Sequence, residues 1–547
     1  MAQEIFCSVF GAVNRFDCLE GAVLLWAENQ NGENYGRFRK ELENNQYCLY
    51  TEKSENGNIF ATYIREDEVI NTYFTPCDKK VRAVFESGTG LPPRAEDNKY
   101  EAIVAPMVTQ VKTGHLKRDC GMSYIIRLCD GRFILIDTPY DEYEETERIL
   151  EILNEQNTVY EKPVLAACFF THAHDDHTYA FVRLMKEFAD AVVFGDIIYN
   201  WPPDGIVPNA VEHDMFDEYV RKIPANIIKA RSGQRYCYAD AVFDLVYVCD
   251  DYYPEKMTDF NSSSAVMRME LDGRRFIWMA DAGFYASEII TARYGSESLK
   301  SEFLQVAHHG YWGGSETINR LIEPKILLWP VPDFRYRETF NMARNKTIFE
   351  KGTVEKIFVS GRYQTTLDLS KPIPEPPKAP EYQKGDIIYS EDFSGKKRII
   401  DLNWEAVTCG SIDFEGAELK LQGGGCLWST SENGKAMLEV LKQFDLENAR
   451  SYTLELEGVI TKKPDEFDVV YNKPKPAQWQ DEVLQGIDVT EGDLKVRLEL
   501  DAEGKTVRLE YNGVEMFKKE YIPTEPSGLY LMMKAGEIIL KKITVAR

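Results

Sequence analysis

The 547-residue chain has seven histidines, and five of them fall in two clusters. The first cluster is Thr171-His172-Ala173-His174-Asp175-Asp176-His177, directly after the apolar run VLAACFF. The second is His308-His309-Gly310, directly after EFLQV. Imidazole and carboxylate side chains at a strand end are the usual ligands of a divalent metal. His172 and His174 point the same way in an extended run, because side chains alternate with a period of two. Asp176 and His177 follow where the chain turns into a helix, so they can face a second ion. Two ions about 3.5–4 Å apart can share a water and bring its pKa toward about 7, giving hydroxide at neutral pH. The chemistry is metal-assisted hydrolysis.

Rigid elements must hold such a constellation. VLAACFF reads as a buried strand. MSYIIRL and GRFILIDTP are apolar runs joined by Cys129-Asp130-Gly131, a hairpin signal. Residues 141–156 open with acids and carry Ile149, Leu150 and Leu153 on one face, as an amphipathic helix does. Phe181, Leu184, Met185 and Phe188 have helical spacing. SAVMRMEL and RRFIWMAD pair around Asp272-Gly273, and the second ends at Asp281. EFLQV and KILLWPV are further short strands. Strands of both kinds mixed with helices predict an α/β sandwich over residues 99–370. Residues 1–98 alternate polar and apolar residues and predict a small β-rich module. Residues 371–384 are proline-rich and form a semi-rigid linker. Residues 385–547 read as an antiparallel β-sandwich.

Charge narrows the partners. The balance of 64 Lys+Arg against 89 Asp+Glu gives a net of −25. Such a surface repels phosphate backbones, so stable nucleic-acid binding is not expected. A small anionic substrate, met through bound metal, is compatible with it. No run reaches the roughly 18–20 apolar residues of a membrane span. Residues 1–15 do not read as a signal peptide. The eleven cysteines are odd in number and contain no CxxC. They read as reduced core thiols of a cytoplasmic protein.

HxHxDH after a strand, an acid at a later strand end and a histidine at another resemble the metallo-β-lactamase superfamily. The resemblance covers about residues 100–365. It implies an αββα sandwich, here flanked by an N-terminal β module and the C-terminal β-sandwich. It also implies two divalent ions, zinc first, with manganese or iron as alternatives. By this resemblance His172 and His174 bind the first ion, Asp176 and His177 the second, and Asp281 bridges both. Ala280 stands where the family has glycine. His308-His309-Gly310 resembles the branch of bacterial competence proteins and a cell-wall phosphorylcholine esterase. It implies His309 as a second-site ligand, with His308 beside it as ligand or substrate contact. The family's third first-site histidine is missing. Asn261, twenty positions before Asp281, stands there instead and offers one weaker carbonyl oxygen. Asp250 and Asp251 are other donors within reach of the sequence argument. His213 reads as a surface-helix residue and His115 as a loop residue.

Asp176 is expected both to bind metal and to take and return the proton. A phosphoester or phosphodiester is the leading substrate, and a lactone, amide or thioester is the alternative. The rival class is a carbohydrate-binding or scaffold protein with a weakly active hydrolase-like domain. Tyr179, Tyr311 and Trp312 are candidate substrate contacts. Arg335 and Arg337 fit either a phosphate contact or a solvated loop. The C-terminal module loosely resembles concanavalin-like jelly rolls, through EDFSG and the terminal IILKKITVAR. Trp404, Trp428 and Trp479 are its candidate glycan-stacking residues, and Gly423-Gly424-Gly425 is a tight bend.

Overall fold

The structure is a computed structural model. It describes residues 1–113, 121–141, 144–203, 206–207, 214–253, 255, 257–377, 383–393, 405–408, 411–415, 418–422, 435–439, 451–473, 486–521 and 528–547.

The middle region is an αββα sandwich of two seven-stranded sheets. Strand order in the first is Asn226–Lys229, Val193–Tyr199, Val164–Phe169, Phe133–Ile136, Tyr124–Arg127, Met107–Gln110, Thr365–Asp368. In the second it is Arg235–Tyr238, Ala241–Tyr247, Val266–Leu271, Arg274–Trp278, Phe303–Gln305, Ile326–Trp329, Lys356–Val359. Each sheet is antiparallel at one end and parallel at the other, since hairpins build one half and helical crossovers the other. Aromatic side chains join the sheets. Phe169 stacks on Phe243 and Tyr124 tilts against Trp278, both with ring centroids 4.7 Å apart. Helices Glu145–Gln156 and Asp175–Glu187 cover the outer face of the first sheet through Ile149, Leu153, Phe181 and Leu184. Helices Phe284–Arg293 and Glu316–Ile322 cover the second through Ile290 and Ile318.

The N-terminal region has the expected sheet, six-stranded and antiparallel, together with two helices, Ala2–Phe10 and Gly32–Asn44, that the alternation did not signal. Both faces of the sheet are covered. Val23, Leu25 and Val81 face the two helices. Leu24, Trp26 and Val84 face the sandwich instead, as do Phe60 and Tyr73. This is the period-two rule with an apolar partner on each side. The C-terminal region has an eight-stranded and a four-stranded sheet, with Leu454, Leu456, Leu498, Leu540 and Val545 buried between them. No described helix is long and apolar enough to cross a membrane. Of the described cysteines, Cys129, Cys168, Cys237 and Cys249 are buried thiols, whereas Cys7, Cys48 and Cys77 are exposed. The expectation of core thiols therefore holds for only part of the set.

A buried polar network ties the N-terminal sheet to the sandwich. Arg231 pairs with Glu86 at 2.6 Å and with Asp250 at 2.9 Å. Arg293 pairs with Asp251 at 2.8 Å, and Tyr73 donates to the same carboxylate. Arg82 donates to the carbonyls of Asp250 and Tyr253. Asp250 and Asp251 are thus committed to this interface. Among the described residues neither belongs to a group of donor atoms close enough to share an ion, unlike the sequence expectation.

The network makes stability depend on pH. Burial opposes ionisation of Asp251, yet Arg293 and Arg82 hold it below the ordinary carboxylate range. Burial also opposes ionisation of Glu55, but Arg268 and Lys53 bring it to about 2. A carboxylate lowered on folding stabilises fully above its unfolded value near 4, and that contribution is lost as pH falls through the folded value. Thermal stability is expected to drop between about pH 4 and about pH 2. Asp251→Asn should flatten part of that slope. An unfolding midpoint whose pH profile is the same in the variant and the parent would contradict this account.

Candidate metal centre

The side chains of the site hang from the carboxyl end of a strand, from the loop after it, or from the first turn of the helix that loop enters. Asp137 directly follows Phe133–Ile136, and His172 lies three residues past Val164–Phe169. Asp281 lies three residues past Arg274–Trp278. His308 and His309 lie just past Phe303–Gln305. Parallel strands bring these ends to one edge of the sandwich, the usual ligand position in α/β sheets. Phe169 and Trp278, which hold the sheets together, are also the last strand residues before His172 and Asp281. His174 caps helix Asp175–Glu187, and Asp176 and His177 occupy its first turn. There the helix dipole favours the carboxylate.

Asp176, His177, Asp281 and His309 come together, all buried. His309 Nε2 is 3.3 Å from Asp176 Oδ2, 3.4 Å from Asp281 Oδ2 and 3.4 Å from His177 Nε2. His177 Nε2 is 3.5 Å from Asp281 Oδ1 and 3.8 Å from Asp176 Oδ2. Ligand atoms about 2.0–2.1 Å from a tetrahedral ion stand about 3.4 Å apart, so these separations fit a shared cation. A second group of donor atoms within 4.8 Å of one another is His172, His177 and Asp281. Asp281 Oδ1 is buried with no hydrogen-bond partner among the described residues. An atom left so is costly without a cation to meet it. The residues present therefore fit divalent metal binding.

The electrostatics agree. Burial opposes ionisation of Asp281, but His309, His177 and His308 hold it well below the ordinary range. Burial likewise opposes the charged form of His309, and Asp281 with Asp176 lifts it to about 10. Burial and the neighbouring His177 and His174 push His172 well below its usual value. The two carboxylates thus demand positive charge, which protons supply in the bare protein.

A second layer turns the imidazoles. His177 Nδ1 donates to Asp137 Oδ2 at 2.8 Å. Thr171 Oγ1 donates to the same oxygen at 2.7 Å and lies 3.1 Å from His172 Nδ1. His309 Nδ1 donates to the Pro330 carbonyl at 2.6 Å. With Nδ1 so occupied, Nε2 of all three rings is left for a metal. Asp137 is fully buried, and the sequence reading missed it. Its signal was an acid closing the apolar run FILID.

The backbone around the site is strained. Ala280 has φ 47°, His308 49° and His309 52°. A glycine would adopt this conformation freely, whereas alanine meets it at a cost. Gln305 holds Ala280 in place, accepting from its N–H at 2.6 Å and donating to its carbonyl at 3.2 Å. Gly310 also has positive φ, and a Cβ there would lie 2.4 Å from Trp329 Nε1. That explains the glycine of His-His-Gly.

The remaining candidates are more exposed than Asp176, His177, Asp281 and His309. His174 and His308 are half-buried, with His174 Nδ1 3.0 Å from His172 Nε2 and His308 Nε2 3.7 Å from Asp281 Oδ2. The Asn261 amide is 3.4 Å from His308 Nε2. The Tyr311 ring lies 6.2 Å from that of His308, and Trp312 is 70% exposed. Tyr179 is half-buried on the helix that starts at Asp175. His115, His213, Trp404, Trp428, Trp479 and Gly423-Gly424-Gly425 lie outside the described residues, as do the side chains of Arg335 and Arg337.

No protein-family profile and no curated protein matches the chain. Among solved structures it is similar to the metallo-β-lactamase fold protein YhfI from Bacillus subtilis, at 14% identity and a TM-score of 0.32, over 48% of this chain and 99% of that one. It is also similar to a metallo-β-lactamase variant from Cronobacter sakazakii, at 13% identity and 0.24, over 46% and 91%. A Bacillus subtilis protein with a galectin-like fold matches at 11% and 0.21, over 30% and 98%. Values this low decide nothing about activity, and the αββα layering rests on the strand order itself.

Two substitutions test this geometry. Asp137→Asn keeps the left-handed backbone accessible but removes the acceptor charge. It should weaken metal binding about 10–100-fold in a titration. Ala280→Gly should relieve strain and raise the melting midpoint by about 2–4 °C. A lowered midpoint would show that Ala280 is not strained.

Proposed function

We propose that this chain is a metal-dependent hydrolase that cleaves a small phosphoester or phosphodiester. The observation behind this is the buried quartet of Asp176, His177, Asp281 and His309, spaced as ligands of one cation. His172, His174 and Asp281 would hold a first ion, and Asp281 would share a second with Asp176, His177 and His309. Bound there, the ions supply an acidified water and positive charge opposite the developing negative charge.

The chain does the rest. Asp137, Thr171 and the Pro330 carbonyl keep the imidazoles in one orientation. Asp176, held ionised by His177 and His309 against its burial, can accept a hydrogen bond from the attacking water and orient it. Tyr311 and Trp312, which follow His309-Gly310 in the chain, would contact the substrate. The phosphoester preference draws on the His-His-Gly resemblance and on the net charge of −25, which disfavours a large polyanion.

The test is the purified protein loaded with zinc or manganese and offered bis-p-nitrophenyl phosphate, p-nitrophenyl phosphorylcholine, a lactone and a β-lactam. A phosphate ester should be hydrolysed, a chelator should stop the reaction, and returned metal should restore it. His174→Ala should abolish it. Turnover of the lactone alone would replace the phosphoester assignment with a carbonyl one. No turnover with either metal would defeat the hydrolase reading.

A further inference from the structure

The carboxylate that orients His177 opens a short strap, Asp137-Thr138-Pro139-Tyr140-Asp141, which follows strand Phe133–Ile136. Four of its five residues are fastened to the metal-bearing helix Asp175–Glu187. Asp137 Oδ2 accepts from His177 Nδ1 at 2.8 Å. The Thr138 N–H donates to the His177 carbonyl at 2.9 Å, and Thr138 Oγ1 accepts from the Phe181 N–H at 3.0 Å. The Pro139 carbonyl accepts from the Ala180 N–H at 3.0 Å. Asp141 accepts from Arg183 Nη1 at 2.9 Å, and from the Thr146 N–H of the next helix at 3.0 Å.

Tyr140 belongs to a different neighbourhood. It is buried in the hydrophobic cluster of the C-terminal module, with Phe393, Tyr452 and Leu454. Among the described residues it is the one buried member of that cluster from outside the module. The strap therefore ends on one side at the acid that turns a metal-facing imidazole and passes, three residues on, through the core of another module. Asp137 is also left-handed, at φ 50°. A non-glycine residue keeps that conformation only where its surroundings impose it. The strand before Asp137 fixes the strap at its front, and burial of Tyr140 fixes it behind.

We infer that the C-terminal module is part of the support of the metal centre: by burying Tyr140 it holds the strap against helix Asp175–Glu187 and keeps Asp137 on His177. This rests on the metal-hydrolase reading above. Tyr140 is a positioning residue that acts through Asp137. Coupling of this kind is reciprocal, so metal that fixes His177 also tightens the module on the sandwich. Anything that loosens the module lowers metal affinity, which makes the module a control element as well as a neighbour.

The full chain, stripped with a chelator, is titrated with zinc, and cobalt absorption follows the same titration independently of activity. Tyr140→Ala should bind metal about 10-fold more weakly, at the low end of the range for groups that orient a metal-bound histidine. Added to Asp137→Asn, it should weaken binding little further, because both changes break the same link. Hydrogen exchange reads the reverse direction without any substitution. Zinc should slow exchange in strands Tyr452–Lys462 and Glu537–Ala546 of the parent, and Tyr140→Ala should remove that slowing. Parental affinity in Tyr140→Ala, fully additive losses in the double variant, or module exchange that zinc leaves unchanged in the parent would each overturn the inference. A parent that binds no metal would bring down the hydrolase reading itself, and the inference with it.

Discussion

The dominant constraint on this molecule is buried charge. Asp176 and Asp281 lie with His177 and His309 at the edge of two packed sheets, almost wholly out of water. Carboxylates cannot stay there uncompensated, so each must face a cation of some kind. In the bare protein the two imidazoles serve, and their raised proton affinity is the direct result. A divalent ion would replace those protons without moving the frame. The sandwich must therefore be rigid at this edge, and the aromatic pairs Phe169–Phe243 and Tyr124–Trp278 stiffen it immediately behind the ligand-bearing loops.

Strain collects at the same edge. Asp137, Ala280, His308 and His309 all have positive φ, and all follow strand ends that feed the site. Extended strands would carry these side chains past one another. A left-handed residue turns each chain back within one or two positions. The surroundings hold these conformations in place: Gln305 clamps Ala280, Trp329 donates to the His309 carbonyl, and Asn345 donates to that of Gly310. Backbone strain retained at a functional site needs this kind of support.

The flanking regions meet the sandwich in different ways. The N-terminal sheet is tied to it by Arg82, Arg231 and Arg293, which take up Glu86, Asp250 and Asp251. Acids that look like metal donors along the sequence are spent on structure. The C-terminal module meets it near the site: Tyr140, three residues past Asp137, is part of the module's buried cluster with Phe393 and Tyr452. The loop that orients His177 is thus anchored in the neighbouring core.

Local pattern was enough to read most strands, the helices on either side of the first histidine cluster, and the HxHxDH and His-His-Gly clusters, but not the two N-terminal helices. Side-chain periodicity and metal chemistry act over a few residues, so they are written along the chain. The sequence by itself therefore determined the layered α/β class and the His and Asp clusters that fit a divalent metal. It could not determine Asp137 as the orienting acid, the commitment of Asp250 and Asp251 to an interface, or the approach of Asn261 to His308. Those depend on partners about 20–50 positions apart, brought together only by tertiary folding. Tertiary structure decided them because a buried carboxylate takes its role from the charge it faces, and that charge comes from elsewhere in the fold.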